Sequence, residues 1–385
     1  MSRYWSYLNS AEKIVTEYNG AVPFAASLKE SFRLEKKFGS RDRKIISQLC
    51  YGYFRLGQSF AHLPLQEKLL LGYFLTTQHD TGMIAHLKPE WKEAVAFPLN
   101  QKLELLNAAS AINNLFPFIE LLSNEIDAAT FSRSHLIQPL MFLRLRPGRA
   151  SVVRQQLNQH GSWFHEVSQD CLALAIGSKI EDVIMLNRDA VVQDMNSQKA
   201  LDVLKNLISE TRFTTWDCCA GSGGKSILLK DHFPNAELIV SDIRESIIIN
   251  LKKRFDHAGI TGYRSFVTDL AADAFHHDKQ YDLVICDAPC SGSGTWGRTP
   301  EQLETFTIQK AAHYAALQKK IVLNASKCVK QNGWFLYITC SVFRNENEEV
   351  ADFISANTKM SLVEKKYFPG YASRADSLFM ALFRL

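Results

Sequence analysis

From about residue 200 to the end of the chain, short apolar runs alternate with segments of helical spacing. The runs are FTTWDCC (213–219), ELIVSD (237–242), YRSFVTD (263–269), YDLVICD (281–287) and WFLYITC (334–340). Between them lie GKSILLKDHF, ESIIINLKKRFDHAG and IQKAAHYAALQKKIVLNASKCV. Strand-length runs joined by helices predict a parallel, doubly wound α/β sheet of Rossmann type. The closing stretch, SLFMALFRL, reads as one more strand.

The rest of the chain reads differently. A length of 385 residues is too great for one ordinary core. The first ~120 residues carry helical spacing in AEKIVTEYNG, AASLKESFRLEKKFG and the run from EWKEAVAF to LNQKLELLNAASAINNLF, broken by Gly20, Gly39, Gly57 and prolines. PLMFLRLRPG (139–148) reads as a strand ending in a turn, and ASVVRQQLNQHG as a helix closed by Gly161. The expected division is an all-α domain at 1–130, a small mixed α+β segment at 131–200 and a Rossmann-like domain at 201–385.

A hydrophobic content of 46% with 22% charged residues excludes a disordered chain. No apolar run approaches the ~18 residues of a membrane span. The start, MSRYWSYLNSAEK, has no apolar signal region, so a cytoplasmic protein with no membrane contact is expected. Among the eight cysteines no C-x-x-C pair and no zinc spacing occurs. Free thiols, mostly core filler, are therefore expected, with no metal and a monomeric chain.

The net charge of +4 identifies no partner, but its distribution is uneven. Residues 29–55 hold eight Lys/Arg against three acids, and residues 144–154 hold four Arg and no acid. Such clusters either track phosphates or are solvated faces.

The first strand runs into CCAGSGGKS (218–226), where Gly221, Gly223 and Gly224 let backbone approach a ligand as a helix begins. A P-loop fits poorly, because Cys219 stands at its first glycine position. Asp242 ends the second strand 21 residues after Gly221, Asp269 the third and Asp287 the fourth. Carboxylates at the carboxyl ends of successive strands favour an adenosine-bearing cofactor, although one alone would be read as a helix cap. Spacing does not separate NAD from S-adenosylmethionine.

Cys290 follows the fourth strand and Cys340 ends the fifth. In a doubly wound sheet both sulfurs reach the cofactor cleft. Hydride transfer wants a histidine base, and no strand ends in one here. A methyl donor suits the thiols better. Carbon 5 of a pyrimidine is a poor nucleophile until a thiolate adds to carbon 6; after methylation the proton on carbon 5 must go before the thiol can leave. Two thiols and one carboxylate fit that sequence of steps.

Residues ~190–385 resemble the RsmB/Sun family of RNA (cytosine-5) methyltransferases. The resemblance rests on VVQDMNSQKALDVL, DCCAGSGGKS, SDIRES, TDLA, DAPCSGSGTWGRTPE and YITCSVFRNENEEV. FGSRDRKIISQLCYGYFRLG resembles the NusB-like RNA-binding domain of bacterial members. The resemblance implies Cys340 as nucleophile, Cys290 as the thiol that assists product release, and Asp287 beside cofactor and cytosine edge. It places Cys219, Ala220, Gly221, Ser222, Gly223, Gly224, Lys225, Asp242 and Asp269 around S-adenosylmethionine. It implies an RNA partner, 16S ribosomal RNA first and transfer RNA second. Trp296 and Arg298 are candidates to stack on or hold the substrate strand, against ordinary loop packing. Two departures stand out: Gly221-Ser222 replaces the family's Ala-Pro, and Asp376-Ser377-Leu378-Phe379 replaces Asp-Gly-Phe-Phe. Rival readings are a Rossmann methyltransferase acting on an amine, which leaves Cys340 idle, and a non-catalytic RNA-binding factor.

Overall fold

Helical spacing at the front becomes helices Arg3–Glu17, Phe24–Leu34, Ser40–Arg55 and Leu65–Thr76. The first three each bury one apolar stripe. The fourth buries every residue from Leu69 to Leu75 and is the core helix of its unit. The later expected helical run is less regular. It breaks into a 3-10 turn (Pro89–Ala94), a short helix after Pro98 (Leu99–Leu105) and a second 3-10 turn (Ala111–Asn114).

The computed structural model describes residues 2–209 and 212–385 and resolves two units. The helical unit comprises Met1–Glu120, Asp127–Gln138 and Trp296–Thr307; the second comprises Leu121–Ile126, Pro139–Thr295 and Ile308–Leu385. The segment after the glycine turn, read from sequence as part of the Rossmann domain, is thus built into the helical unit. Trp296 is 1% exposed and packs among Phe116, Phe118 and Phe306 at centroid distances of 5.8, 5.8 and 4.8 Å. It is core, which removes it as a stacking platform for substrate. The Glu301 carboxylate accepts from Phe24 N at 3.2 Å, and buried Arg55 donates to the carbonyls of His135 and Gly297 at 2.8 and 2.7 Å. Arg55 therefore leaves the basic surface. Lys29, Lys36, Arg41 and Lys44 remain exposed and make no ion pair among the described residues.

The second unit holds two sheets. The smaller contains β1 (Leu140–Leu145), β2 (His165–Ser168), β3 (Cys171–Ala175) and β4 (Ala190–Val192) in the order β2-β3-β1-β4. Only β1 was legible as a strand. This sheet overturns the reading of residues 144–154 as a phosphate grip. Arg144 is buried and pairs with Asp231, and Arg146 donates to the same carboxylate at 2.8 Å. Arg149 faces Asp189 at 3.6 Å and Arg154 binds Glu166 at 2.9 Å. The acids come from elsewhere in the sequence, so the run only looks unpaired when read alone.

The larger sheet contains β5 (Thr214–Asp217), β6 (Glu237–Asp242), β7 (Arg264–Val267), β8 (Tyr281–Asp287), β9 (Val329–Thr339), β10 (Ser361–Phe368) and β11 (Leu378–Arg384). Its order is β10-β11-β9-β8-β5-β6-β7. Strands β5 to β9 pair in parallel, and β11 runs antiparallel between β9 and β10. The near-continuous apolar run of β8 follows from cover on both faces. The chain winds outward from β5 through β6 to β7, then crosses back to β8. The switch point between β5 and β8 is where open α/β sheets bind ligands, beyond the strands' carboxyl ends.

Candidate active site

The carboxyl ends of β8 and β9 lie side by side, with Asp287 opposite Ile338. Cys290 and Cys340 follow these ends by three residues and one. Their Sγ atoms are 3.3 Å apart and both residues are half-buried. Backbone bonds fix the two loops: Gly294 N donates to the Cys340 carbonyl and Ser377 N to the Gly294 carbonyl, each at 2.9 Å. A side chain at Gly294 would strike both partners, with its Cβ 2.3 Å from Ser377 O and 2.9 Å from Cys340 O. Ser377, where the family pattern has glycine, is buried, and its Oγ accepts from Gly370 N at 3.1 Å. That departure therefore leaves the tail docked on the DAPC loop.

Asp287 ends β8, and its Oδ2 accepts from Lys225 Nζ at 2.6 Å. Burial pulls the Lys225 ammonium down, but Asp287 first and then Cys340 and Asp217 push it up, and the net is upward. Hydrogen bonding to Cys340 and then burial push the Cys290 thiol well up, which favours its protonated form.

The glycine loop leaves β5. Cys219 is half-buried, and Ala220 N donates to Ser241 O at 2.9 Å. Gly221 N donates to Asp242 Oδ2 at 3.0 Å. A Cβ added to Gly221 or Gly224 would meet nothing within 4 Å, so open space lies over the loop. Gly223 adopts φ +82°, and a Cβ there would sit 2.6 Å from Phe255. Ser222, the other departure, is held from below: Arg254 donates to its Oγ at 2.7 Å and its carbonyl at 2.8 Å.

Asp242 is 6% exposed at the end of β6. Burial pushes its carboxyl up, but donors from Arg244 and Gly221 outweigh this and hold it below the usual carboxylate range. Asp269 departs from expectation, because β7 stops at Val267. Asp269 is exposed, and its Oδ1 accepts from Ala271 N at 2.8 Å, the local capping contact. Arg298 lies in the segment that belongs to the helical unit.

Sequence reasoning missed two acids. Asp217 ends β5 as Asp242 and Asp287 end theirs, but the run FTTWDCC continues to Cys219 and hides the strand's true end. It is fully buried; Ser226 Oγ donates to Oδ2 at 2.6 Å and Oδ1 has no partner among the described residues. Burial first, against the Ser226 bond and with Asp287 adding, pushes it up to about 7. Glu346 lies in the NENEEV stretch, where the sequence alone gives it no role. Its buried carboxylate accepts from Ser291 N, Ser341 Oγ and Gln318 Nε2 at 2.8, 2.9 and 3.0 Å.

A paired dithiol, a lysine-bound aspartate and an open glycine loop thus share one end of one sheet. The sequence profile of the family described as 16S rRNA methyltransferase RsmB/F matches residues 171–379. The chain belongs to that family. This family member is 28% identical over 372 residues to "Ribosomal RNA small subunit methyltransferase B" of Yersinia enterocolitica, a match covering 86% of each chain. It is 28% identical over 230 residues to "Probable ribosomal RNA small subunit methyltransferase B" of Bacillus subtilis, covering 58% of this chain and only 51% of that one. The solved structure of PH0851 matches with a TM-score of 0.71 at 18% identity over 98% of both chains. NSun6 from Pyrococcus horikoshii, solved with SFG, matches with a TM-score of 0.60 at 14% identity, covering 72% of this chain and 97% of that one. At such identities the two structures speak for the fold. No described helix is long and apolar enough to cross a membrane.

Proposed function

We propose that this family member transfers a methyl group from S-adenosylmethionine to carbon 5 of a cytosine in 16S ribosomal RNA, through a covalent bond between Cys340 and carbon 6. The observation that carries the reading is the 3.3 Å sulfur pair beside the Lys225–Asp287 contact. The names of the Yersinia and Bacillus relatives support ribosomal RNA, and the SFG with which NSun6 was solved, an S-adenosylmethionine analogue, supports the donor.

The residues fit that donor. Asp242 is an ionised acceptor placed for ribose hydroxyls, and the space over Gly221 and Gly224 admits a ligand against bare backbone. When bound, S-adenosylmethionine supplies an electrophilic methyl carbon. Cys340 adds as thiolate to carbon 6, and the ring's electron pair makes carbon 5 nucleophilic. Asp287, braced by Lys225, holds the cytosine edge. After transfer, the carbon 5 proton passes to solvent water, its bonding pair re-forms the C5–C6 double bond, and the C6–S bond breaks, returning the Cys340 thiolate. Protonated Cys290 donates a hydrogen bond to the departing sulfur. A base inside a helix is out of reach of Cys340, so the target cytosine is unpaired or flipped.

The test is methyl transfer from labelled S-adenosylmethionine to protein-free 16S RNA and to bulk transfer RNA, with bisulfite sequencing of the product. The expected result is one or a few 5-methylcytosines in 16S RNA. Label in transfer RNA alone would replace the substrate, label on an exocyclic amine would replace the chemistry, and no label in either would favour a binding factor.

A further inference from the structure

Three sulfurs outside the Cys290–Cys340 pair converge in the same unit. The Sγ atoms of Cys218, Cys219 and Cys286 all lie within 4.8 Å of one another. Strand register brings them together. β5 and β8 are parallel neighbours, Asp217 pairs with Ile285, and Cys218 N donates to Ile285 O at 2.9 Å. Cys218 and Cys286 are buried, and Cys219 opens the glycine loop half-buried. Any one of them alone would be a small core hydrophobe. Three thiols sharing one centre make a donor set, and the spacing rules that find zinc sites in sequence do not see it, because Cys286 lies far along the chain.

We propose that Cys218, Cys219 and Cys286 form a binding site for a divalent thiophilic cation, zinc or cadmium, with water as the fourth ligand. Zinc–sulfur bonds of about 2.3 Å put tetrahedral sulfur pairs roughly 3.8 Å apart, so the sulfurs need close by about 1 Å at most. The set offers sulfur only, which turns away magnesium and calcium. Charge selects a divalent ion over a monovalent one. Three thiolates leave a net −1 around a divalent cation and −2 around a monovalent one, and Asp217 and Asp287 adjoin Cys218 and Cys286 in the chain. Each thiol releases its proton to solvent as its metal bond forms, and no electron is transferred. The site is independent of the methyl-transfer reading, since its occupancy is measured without RNA or S-adenosylmethionine.

The experiment uses the full chain carrying Cys290→Ser and Cys340→Ser, so that cadmium reports on the triad and not on the other thiol pair. Titration with cadmium chloride is expected to raise an ultraviolet thiolate-to-cadmium band that saturates at one equivalent and is reversed by zinc or EDTA. Adding Cys219→Ser, at the half-buried position, is expected to weaken binding by at least about 10-fold. A second measurement leaves the triad intact: one equivalent of cadmium should slow alkylation of Cys219 by iodoacetamide at least about tenfold, through occupancy alone. Absence of a saturating band, a band undiminished by Cys219→Ser, or equal alkylation with and without cadmium would each overturn the site.

Discussion

Glu346 Oε2 accepts the backbone N–H of Ser291 at 2.8 Å, so an acid from the loop after β9 anchors the loop after β8. Its other oxygen accepts the Ser341 hydroxyl, and Gln318 bridges Glu346 to the Pro289 carbonyl at 3.0 Å. Ser291 follows Cys290 and Ser341 follows Cys340. One buried carboxylate therefore ties together the residues that follow the two cysteines. Glu346→Ala would leave three donors without their acceptor, at roughly 1–3 kcal/mol for each that stays dry. The melting temperature should fall. With the two loops no longer tied, kcat should drop roughly 10- to 100-fold while KM for RNA changes little. Steady-state kinetics on folded variant checks this, and an unchanged kcat would show that the sulfur spacing does not depend on Glu346.

S-adenosylmethionine should raise the melting temperature of the full chain by mass action, with about 2.7 kcal/mol of stabilisation at a hundredfold excess over Kd. ATP and NAD should not. Asp242 already accepts from Gly221 N and Arg244, so Asp242→Ala removes both the proposed ribose acceptor and a brace of the loop. Its thermal shift with S-adenosylmethionine should shrink strongly. Equal shifts with ATP would return the loop to a phosphate-binding reading.

The arginines and lysines divide into two classes that a salt titration separates. Lys36, Arg41 and Lys44 are exposed and outside any ion pair among the described residues. Changing the three to Ala should weaken RNA binding and lower the salt slope by roughly 0.7–0.9 for each phosphate that is no longer neutralised. Arg43 is excluded from the set, because its Nε donates to Phe38 O at 2.9 Å. Arg144→Ala removes one of the two guanidinium partners of the Asp231 carboxylate and leaves Arg146 on it, so it should lower the melting temperature and leave the slope unchanged. A slope that fell with Arg144→Ala would restore the phosphate role to that segment.

What was legible in the sequence was local. Strand β8 was read to the residue because seven consecutive positions carry one pattern and a Pro-Cys stop. Strand β10, SLVEKKYF, was missed because six of its eight residues are exposed and its partner is the chain's last strand. The Cys290–Cys340 pair was found because both lie just past apolar runs that a doubly wound sheet must set side by side. The Cys218–Cys219–Cys286 cluster was not, because it depends on which residue of β5 meets which residue of β8. The arginines of 144–154 failed for the same reason, as Asp231 and Asp189 enter only with the tertiary fold.

Asp217 gives a pH test with a definite sign. Its carboxyl rises to about 7 in the folded chain, chiefly through burial, whereas an unfolded aspartate titrates near ~3.9. Between these values the folded state holds a proton that the unfolded state has lost, so this group's contribution to stability declines as pH rises from about 4 to about 7. Asp217→Asn keeps a neutral side chain beside Ser226 at every pH. Melting curves from pH 5 to 8 should therefore show the variant gaining on the parent as pH rises. A constant difference across the range would mean that Asp217 is already ionised at pH 5.

The two thiols should fail in different ways when removed. Cys340→Ala deletes the sulfur that we propose adds to carbon 6, so turnover should fall at least about a thousandfold and RNA should remain reversibly bound. The Cys290 thiol, pushed well up by its bond to Cys340 and by burial, lies 3.3 Å from the Cys340 sulfur. Cys290→Ala should still add and methylate, but the departing Cys340 sulfur then has no hydrogen-bond donor. Protein and RNA should accumulate as a complex that survives denaturant. A denaturing gel of each variant with 16S RNA and S-adenosylmethionine separates the outcomes. A slow-migrating band with Cys290→Ala alone assigns the roles as given. The same band with Cys340→Ala alone exchanges them, and the proton held by Cys290 would then be the one lost before attack.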